Sequence, residues 1–75
     1  MHITCRYVAM LRERRGLDEE VVEVPPGTTV SELYRSLFPA PAVPVGFAVA
    51  HRQVHAGHAL SDGDEVVFLP PVGGG

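Results

Sequence analysis

The segment Thr29-Val30-Ser31-Glu32-Leu33-Tyr34-Arg35-Ser36-Leu37-Phe38-Pro39 decides the fold. Thr29 and Glu32 stand at the spacing of a capping box, in which the threonine hydroxyl and the glutamate side chain each satisfy a backbone donor left free at a helix start. Val30, Leu33, Leu37 and Phe38 follow at spacings of three, four and one, which draws a single apolar stripe over about three turns. Pro39 ends it. A helix with one apolar stripe covers one face of a sheet, so strands are expected on both sides of it.

On the N-terminal side, Ile3 to Ala9 alternates with a period of two, placing Ile3, Cys5 and Tyr7 on the core face against Thr4, Arg6 and Val8. Val8 is apolar but out of phase. Leu11 to Arg15, followed by Gly16, reads as a short helical turn or loop that reverses the chain. Glu19 to Val24 alternates again, and Pro25-Pro26-Gly27 closes it with turn chemistry. On the C-terminal side, Pro39-Ala40-Pro41-Ala42-Val43-Pro44 is a rigid connector. Phe47 to His51 is small and apolar enough for a central strand, Gln53 to His55 is a short partner, and Glu65 to Leu69 is the last strand after the Leu60-Ser61-Asp62-Gly63-Asp64 turn. Strand, strand, helix, strand, short strand, strand is the order of an α+β β-grasp domain: a mixed sheet with one main helix packed on one face.

A chain of 75 residues is one small domain with a thin core. Residues 1–69 form that domain, and residues 70–75 an extended tail. An apolar fraction of 45% with 20% charged residues is ordinary for a globular chain. Cys5 is the lone cysteine, which excludes an intrachain disulfide, and neither a signal peptide nor a membrane-length apolar run is present. A cytoplasmic protein is expected. The formal charge of -3 argues against nucleic acid and anionic membranes as partners. All six basic residues apart from histidine are arginine, so the side chains offer no ε-amine for attachment.

Two features suggest a binding surface. Val66 and Phe68 face one way along the last strand while Val67 and Leu69 face the other, although one helix covers one face only. With Val8 they form an apolar patch beside the root of the tail, unless Met10, Leu11 or Val43 cover them. The second feature is the tail, Pro70-Pro71-Val72-Gly73-Gly74-Gly75. Prolines cannot join a sheet ladder and hold the chain extended, and side-chain-free glycines make a thread that fits a narrow channel. The same composition also suits a frayed chain end or an engineered addition.

The remaining polar residues point to no chemistry of their own. His51, His55 and His58 lie on a strand and a turn without the closed ligand set of a structural metal site. Cys5 is read as a small buried hydrophobe, Asp62, Asp64 and Glu65 as a turn, and Arg12, Arg14 and Arg15 as a solvated run or rim contacts. No nucleophile-and-base pair or phosphate loop can be assembled.

The chain resembles the small sulfur-carrier subunit of molybdopterin synthase. The likeness runs through Tyr7-Val8-Ala9-Met10-Leu11-Arg12-Glu13, Val24-Pro25-Pro26-Gly27-Thr28-Thr29-Val30, Asp62-Gly63-Asp64-Glu65-Val66, Pro70-Pro71-Val72 and Gly74-Gly75. It implies the ubiquitin-like β-grasp fold. It also implies that an adenylating, E1-like enzyme uses ATP to activate the Gly75 carboxylate, and that sulfur from a donor acting through that enzyme displaces AMP. The resulting thiocarboxylate supplies sulfur to a pterin precursor inside a heterotetrameric synthase, where the large subunit holds the catalytic residues. This chain itself binds no cofactor in that picture. Gly75 reacts, and Gly74, Gly73, Val72, Pro71, Pro70, Leu69, Phe68, Val67 and Val8 hold partners. His51 stands where such carriers often have asparagine, and Gly73 where a small hydroxyl residue is common. The Val-Gly-Gly-Gly ending also resembles the thiamine-pathway carrier, and carriers for tRNA thiolation, ubiquitin-like tags and plain β-grasp binding modules share the fold.

Overall fold

The computed structural model describes residues 1–39 and 43–70. Strand β1 (His2–Arg6) leads into helix α1 (Ala9–Arg15), strand β2 (Glu19–Glu23), helix α2 (Val30–Leu37), and strands β3 (Gly46–Val49), β4 (Arg52–Val54) and β5 (Glu65–Leu69). The five strands make one sheet in the order β2-β1-β5-β3-β4. β1 and β5 are parallel and the other neighbours antiparallel, so the sheet is mixed, as the sequence order predicts.

α2 begins at the capping box. Thr29 Oγ1 accepts from the Glu32 N–H at 3.2 Å, and Glu32 Oε1 accepts from the Thr29 N–H at 2.9 Å. The helix's first two donors are taken by the following loop: Val30 N–H donates to the His58 carbonyl at 3.0 Å and Ser31 N–H to the Ala56 carbonyl at 3.1 Å. Every donor of the first turn is thereby satisfied, and the loop between β4 and β5 is fastened to the helix.

The core is aromatic. Phe68 of β5 is wholly buried, and its ring centroid lies 5.9 Å from Tyr7, 5.7 Å from Tyr34, 6.4 Å from Phe38 and 6.0 Å from Phe47. Tyr34 is absent from the stripe read in the sequence, yet it is buried on α2 and its hydroxyl donates to the Val43 carbonyl at 2.7 Å. It stands four residues after Val30 and four before Phe38, so the helical period already contained it. Its phenol tip lets it line a core and still tie down the chain after the connector.

Several boundaries differ from expectation; β2, for example, ends at Glu23 and not Val24. Leu11 to Arg15 is part of a true helix, closed by Gly16 in a left-handed conformation whose N–H donates to the Arg12 carbonyl. β1 therefore stops at Arg6, and Ala9 opens α1 instead of closing the strand. His51 is not in a strand: Ala50 and His51, with φ of 51° and 65°, form the two-residue turn that joins β3 to β4, and His55 follows β4. Positive φ at both central residues is type I′ geometry, which Asn-Gly fills with least strain. Replacing Ala50→Asn together with His51→Gly is expected to stabilise the fold by about 1 kcal/mol. A denaturant midpoint that stays the same or falls would refute that reading of the turn.

Candidate functional site

The face of the sheet opposite α2 carries a cross-strand row in which Gln53 pairs with Ala48, Ala48 with Val67, Val67 with Arg6 and Arg6 with Glu19. Gly46 pairs with Leu69 in the next row. Small Gly46 and Ala48 leave the β5 side chains standing clear of their neighbours. A methyl group at Gly46 would lie 3.7 Å from Leu69 Cβ, in ordinary contact. Leu69 is 39% exposed and Val67 is half-buried, while Val66 and Phe68 between them are wholly buried.

Val8 completes the patch. The parallel register pairs Arg6 with Val67, and Val8 follows two residues further in extended conformation. It is 39% exposed. A depression of about 310 Å³ lies between Val8 and Val67, edged by Arg6, Arg12, Asp18 and Glu19. Arg6 is held there by Glu19 at 3.3 Å and Glu65 at 2.9 Å, half-exposed ion pairs that set a polar border more than they stabilise. Of the residues that might have covered the patch, Leu11 is wholly buried elsewhere in the core, Val43 packs against that core, and Met10 is itself exposed.

The position of Val8 conflicts with local preference. Val8 is the N-cap of α1, where its side chain can accept nothing, and Ala9 behind it has a φ of 50°. Serine, threonine, aspartate or asparagine would cap this helix better by about 1 kcal/mol. Val8 thus neither caps α1 nor belongs to the buried core.

A half-buried polar cluster aims this segment. Tyr7 hydroxyl donates to Glu20 Oε2 at 2.6 Å, and Arg15 Nε donates to the same oxygen at 2.9 Å, tying the segment between β1 and α1 to α1 and β2. Arg15 Nη1 also reaches the Leu37 carbonyl at the end of α2, at 3.4 Å. Burial alone pushes the Glu20 carboxyl up, but the hydrogen bonds from Tyr7 and Arg15 and the arginine's charge prevail and hold it below its ordinary 4.5. Burial foremost pushes the Cys5 thiol up to about 11, which suits a core residue and not a nucleophile.

The other candidate residues fall elsewhere. Phe68, expected among those that hold partners, has no exposed surface; it supports the patch from beneath. Asp62 accepts from His2 N–H at 2.7 Å and Asp64 from Ser61 N–H at 2.8 Å, so the acidic run builds the turn before β5. His55 Nδ1 accepts from the Gly57 N–H at 3.1 Å, and among the described residues no group of three or more metal-ligating side chains converges. Pro70 is half-buried directly after β5, whereas Pro71, Val72, Gly73, Gly74 and Gly75 lie outside the described residues. Among those described, no helix is long and apolar enough to cross a membrane.

A mixed β-grasp sheet with one face covered by a helix and an apolar patch at the root of a Pro-Pro-Val-Gly-Gly-Gly sequence places the molecule among the ubiquitin-like sulfur carriers and modifiers. The chain belongs to the ThiS family, which matches it over residues 5–75. It is similar to a candidate molybdopterin converting factor subunit 1 of Pyrococcus furiosus, with 30% identity across 96% of this chain and 99% of that one and a TM-score of 0.82. It shares its fold with small archaeal modifier protein 1 of Haloferax volcanii at 21% identity, covering 95% and 98% of the two chains with a TM-score of 0.82. The same holds for a structure of the complex of subunits 1 and 2 of the molybdopterin-converting factor of Helicobacter pylori, at 20% identity, full coverage of both chains and a TM-score of 0.63. No curated protein matches.

Two outcomes follow from this geometry. Val8→Asp is expected to leave the thermal midpoint unchanged or raise it, because a capping carboxylate replaces an idle valine; a clear fall would mean that Val8 supports the fold. Because the Glu20 carboxyl is depressed in the folded state, its contribution is complete above 4.5 and is lost as the pH drops through its lower folded value. Denaturant melts of Glu20→Gln should therefore show a smaller loss of stability on acidification than the parent; equal losses would remove Glu20 as the cause.

Proposed function

We propose that the chain is a sulfur carrier for molybdopterin synthesis. Its Gly75 carboxylate is a poor acyl donor until an adenylating enzyme transfers AMP to it from ATP; sulfur delivered through that enzyme then displaces AMP and leaves a thiocarboxylate. The large synthase subunit accepts the loaded tail and catalyses sulfur transfer to the pterin precursor, and the carrier has no catalytic residue besides its own terminus. The observation that carries this reading is β5, which presents Val67 and Leu69 outward beside Val8 and runs straight into Pro70. A partner that grips the patch receives the tail at a defined point. Membership of the ThiS family and the likeness to the Pyrococcus furiosus protein support it, and the Helicobacter pylori complex offers a template for the partner. Gly74 and Gly73 bring no side chain into a narrow channel, and Pro70, Pro71 and Val72 are proposed to be held by the partner.

The test is incubation with an adenylating enzyme, ATP and a sulfur donor, followed by intact mass measurement. The carrier should gain the difference between sulfur and oxygen, and deletion of Gly75 should abolish that gain without shifting the melt. Val67→Asp with Leu69→Asp should lose capture of the large subunit while the protein stays folded. Amide linkage to lysines of other proteins, with no sulfur gained, would replace this reading by that of a protein modifier.

A further inference from the structure

The sheet order β2-β1-β5-β3-β4 leaves β2 and β4 as its free edges. In an antiparallel ladder, alternate residues turn their N–H and C=O toward the neighbouring strand, and the residues between turn theirs away. Tyr7 N–H donates to the Asp18 carbonyl and Val24 N–H to the Met1 carbonyl, which fixes the phase at both ends of β2, so Glu20 and Val22 face β1. β1 agrees. His2 and Thr4, which stand opposite Glu23 and Val21, use their backbone on the other side: the His2 carbonyl accepts from Gly63 N–H, and Thr4 N–H donates to the Asp64 carbonyl. The N–H and C=O groups of Glu19, Val21 and Glu23 therefore point off the sheet. On the three-residue β4, Arg52 and Val54 pair with β3 beside the two-residue turn, and only Gln53 faces outward.

The side chains of the same three β2 residues are exposed, on the face of the sheet opposite α2. Val21, at 62% exposure, stands further into solvent than Val8 or Leu69, and a glutamate flanks it on each side. A second copy fits this edge poorly. Antiparallel pairing of β2 with itself about Val21 would set Glu19 opposite Glu23 at both ends, like charges facing each other across the ladder. The chain's own strand arginines do not supply a match, since Arg6 lies on β1 inside the sheet and Arg52 on an edge with one outward residue. Charges on an edge strand keep identical chains apart. The same charges select an incoming strand of opposite sign.

We propose that the β2 edge is a docking site for an extended segment of another protein, added antiparallel at the rim of the sheet, with lysine or arginine opposite Glu19 and Glu23 and an aliphatic residue between them opposite Val21. Main-chain hydrogen bonds hold this segment, and its basic-x-aliphatic-x-basic pattern is read by the exposed side chains. The added strand lies three strand spacings from β5, about 14 Å, and leaves Val67 and Leu69 uncovered. The inference is independent of the sulfur-carrier reading and goes beyond it.

The full chain, labelled with nitrogen-15, is titrated with a blocked peptide of threonines in which lysine, valine and lysine fill successive alternate positions. At millimolar peptide, amide exchange at Glu19, Val21 and Glu23 should slow while that at Gln53 is unchanged. The same peptide with glutamate in place of both lysines should bind about tenfold more weakly. Glu19→Lys combined with Glu23→Lys should reverse that preference, and the peptide exchange on the natural chain stands whether or not this variant folds. Unchanged exchange at millimolar peptide, slowing at Gln53 instead, or equal binding of the two peptides would overturn the proposal. Slowing of the same β2 amides in the free chain as its concentration rises would overturn it too, by assigning the edge to a second copy.

Discussion

The burial of Phe68 is the constraint on which the rest depends. Its ring touches the rings of Tyr7, Tyr34, Phe38 and Phe47, and so joins β5 to the residue that follows β1, to the middle and C-terminal end of α2, and to β3. A strand's side chains alternate, so locking Phe68 and Val66 inward obliges Val67 and Leu69 to face out. A slip of one residue would exchange the two pairs and place the core residues in water. The apolar patch is thus the reverse side of the best-anchored strand, and it is as fixed in position as the core itself.

The α1 segment shows a division between stability and recognition. Arg15 and Tyr7 converge on one oxygen of Glu20, which satisfies the polar groups on the core side. On the outer side, Val8 sits at a helix N-cap and is followed by a left-handed Ala9, both against local preference. Local rules broken without a local gain mark functional positions. The cluster beneath holds this unfavourable arrangement in place, with Val8 beside the same depression as Val67.

The outward-facing Val67 and Leu69 lie at the end of the strand that runs into Pro70, and under the function proposed above a partner that grips them would receive the tail at a defined point. Apart from histidine, the positive side chains of the chain are all guanidinium.

Much was legible in the sequence because short-range chemistry wrote it there. The capping box, the period-two strands and the Pro-Pro-Gly and Asp-Gly turns are local, and they lead to α2, β5 and the β-grasp order. The outward direction of Val67 and Leu69 followed from alternation alone. What the sequence could not decide depends on neighbours distant in the chain. Helix α1 is only seven residues long and is held by the Tyr7–Arg15–Glu20 contacts, too short for its own period to announce it. His51 looked like a strand residue because nothing in Ala-His signals a type I′ turn; the pairing of β3 with β4 and β5 imposes that geometry. Phe68 looked available to a partner until its ring was placed among four others. Whether Leu11 covered the patch likewise hung on the path of α1, which turns Leu11 into the core and leaves Val8 outside. Composition and local pattern determined most of the elements, whereas packing between distant elements decided which apolar residues remained exposed.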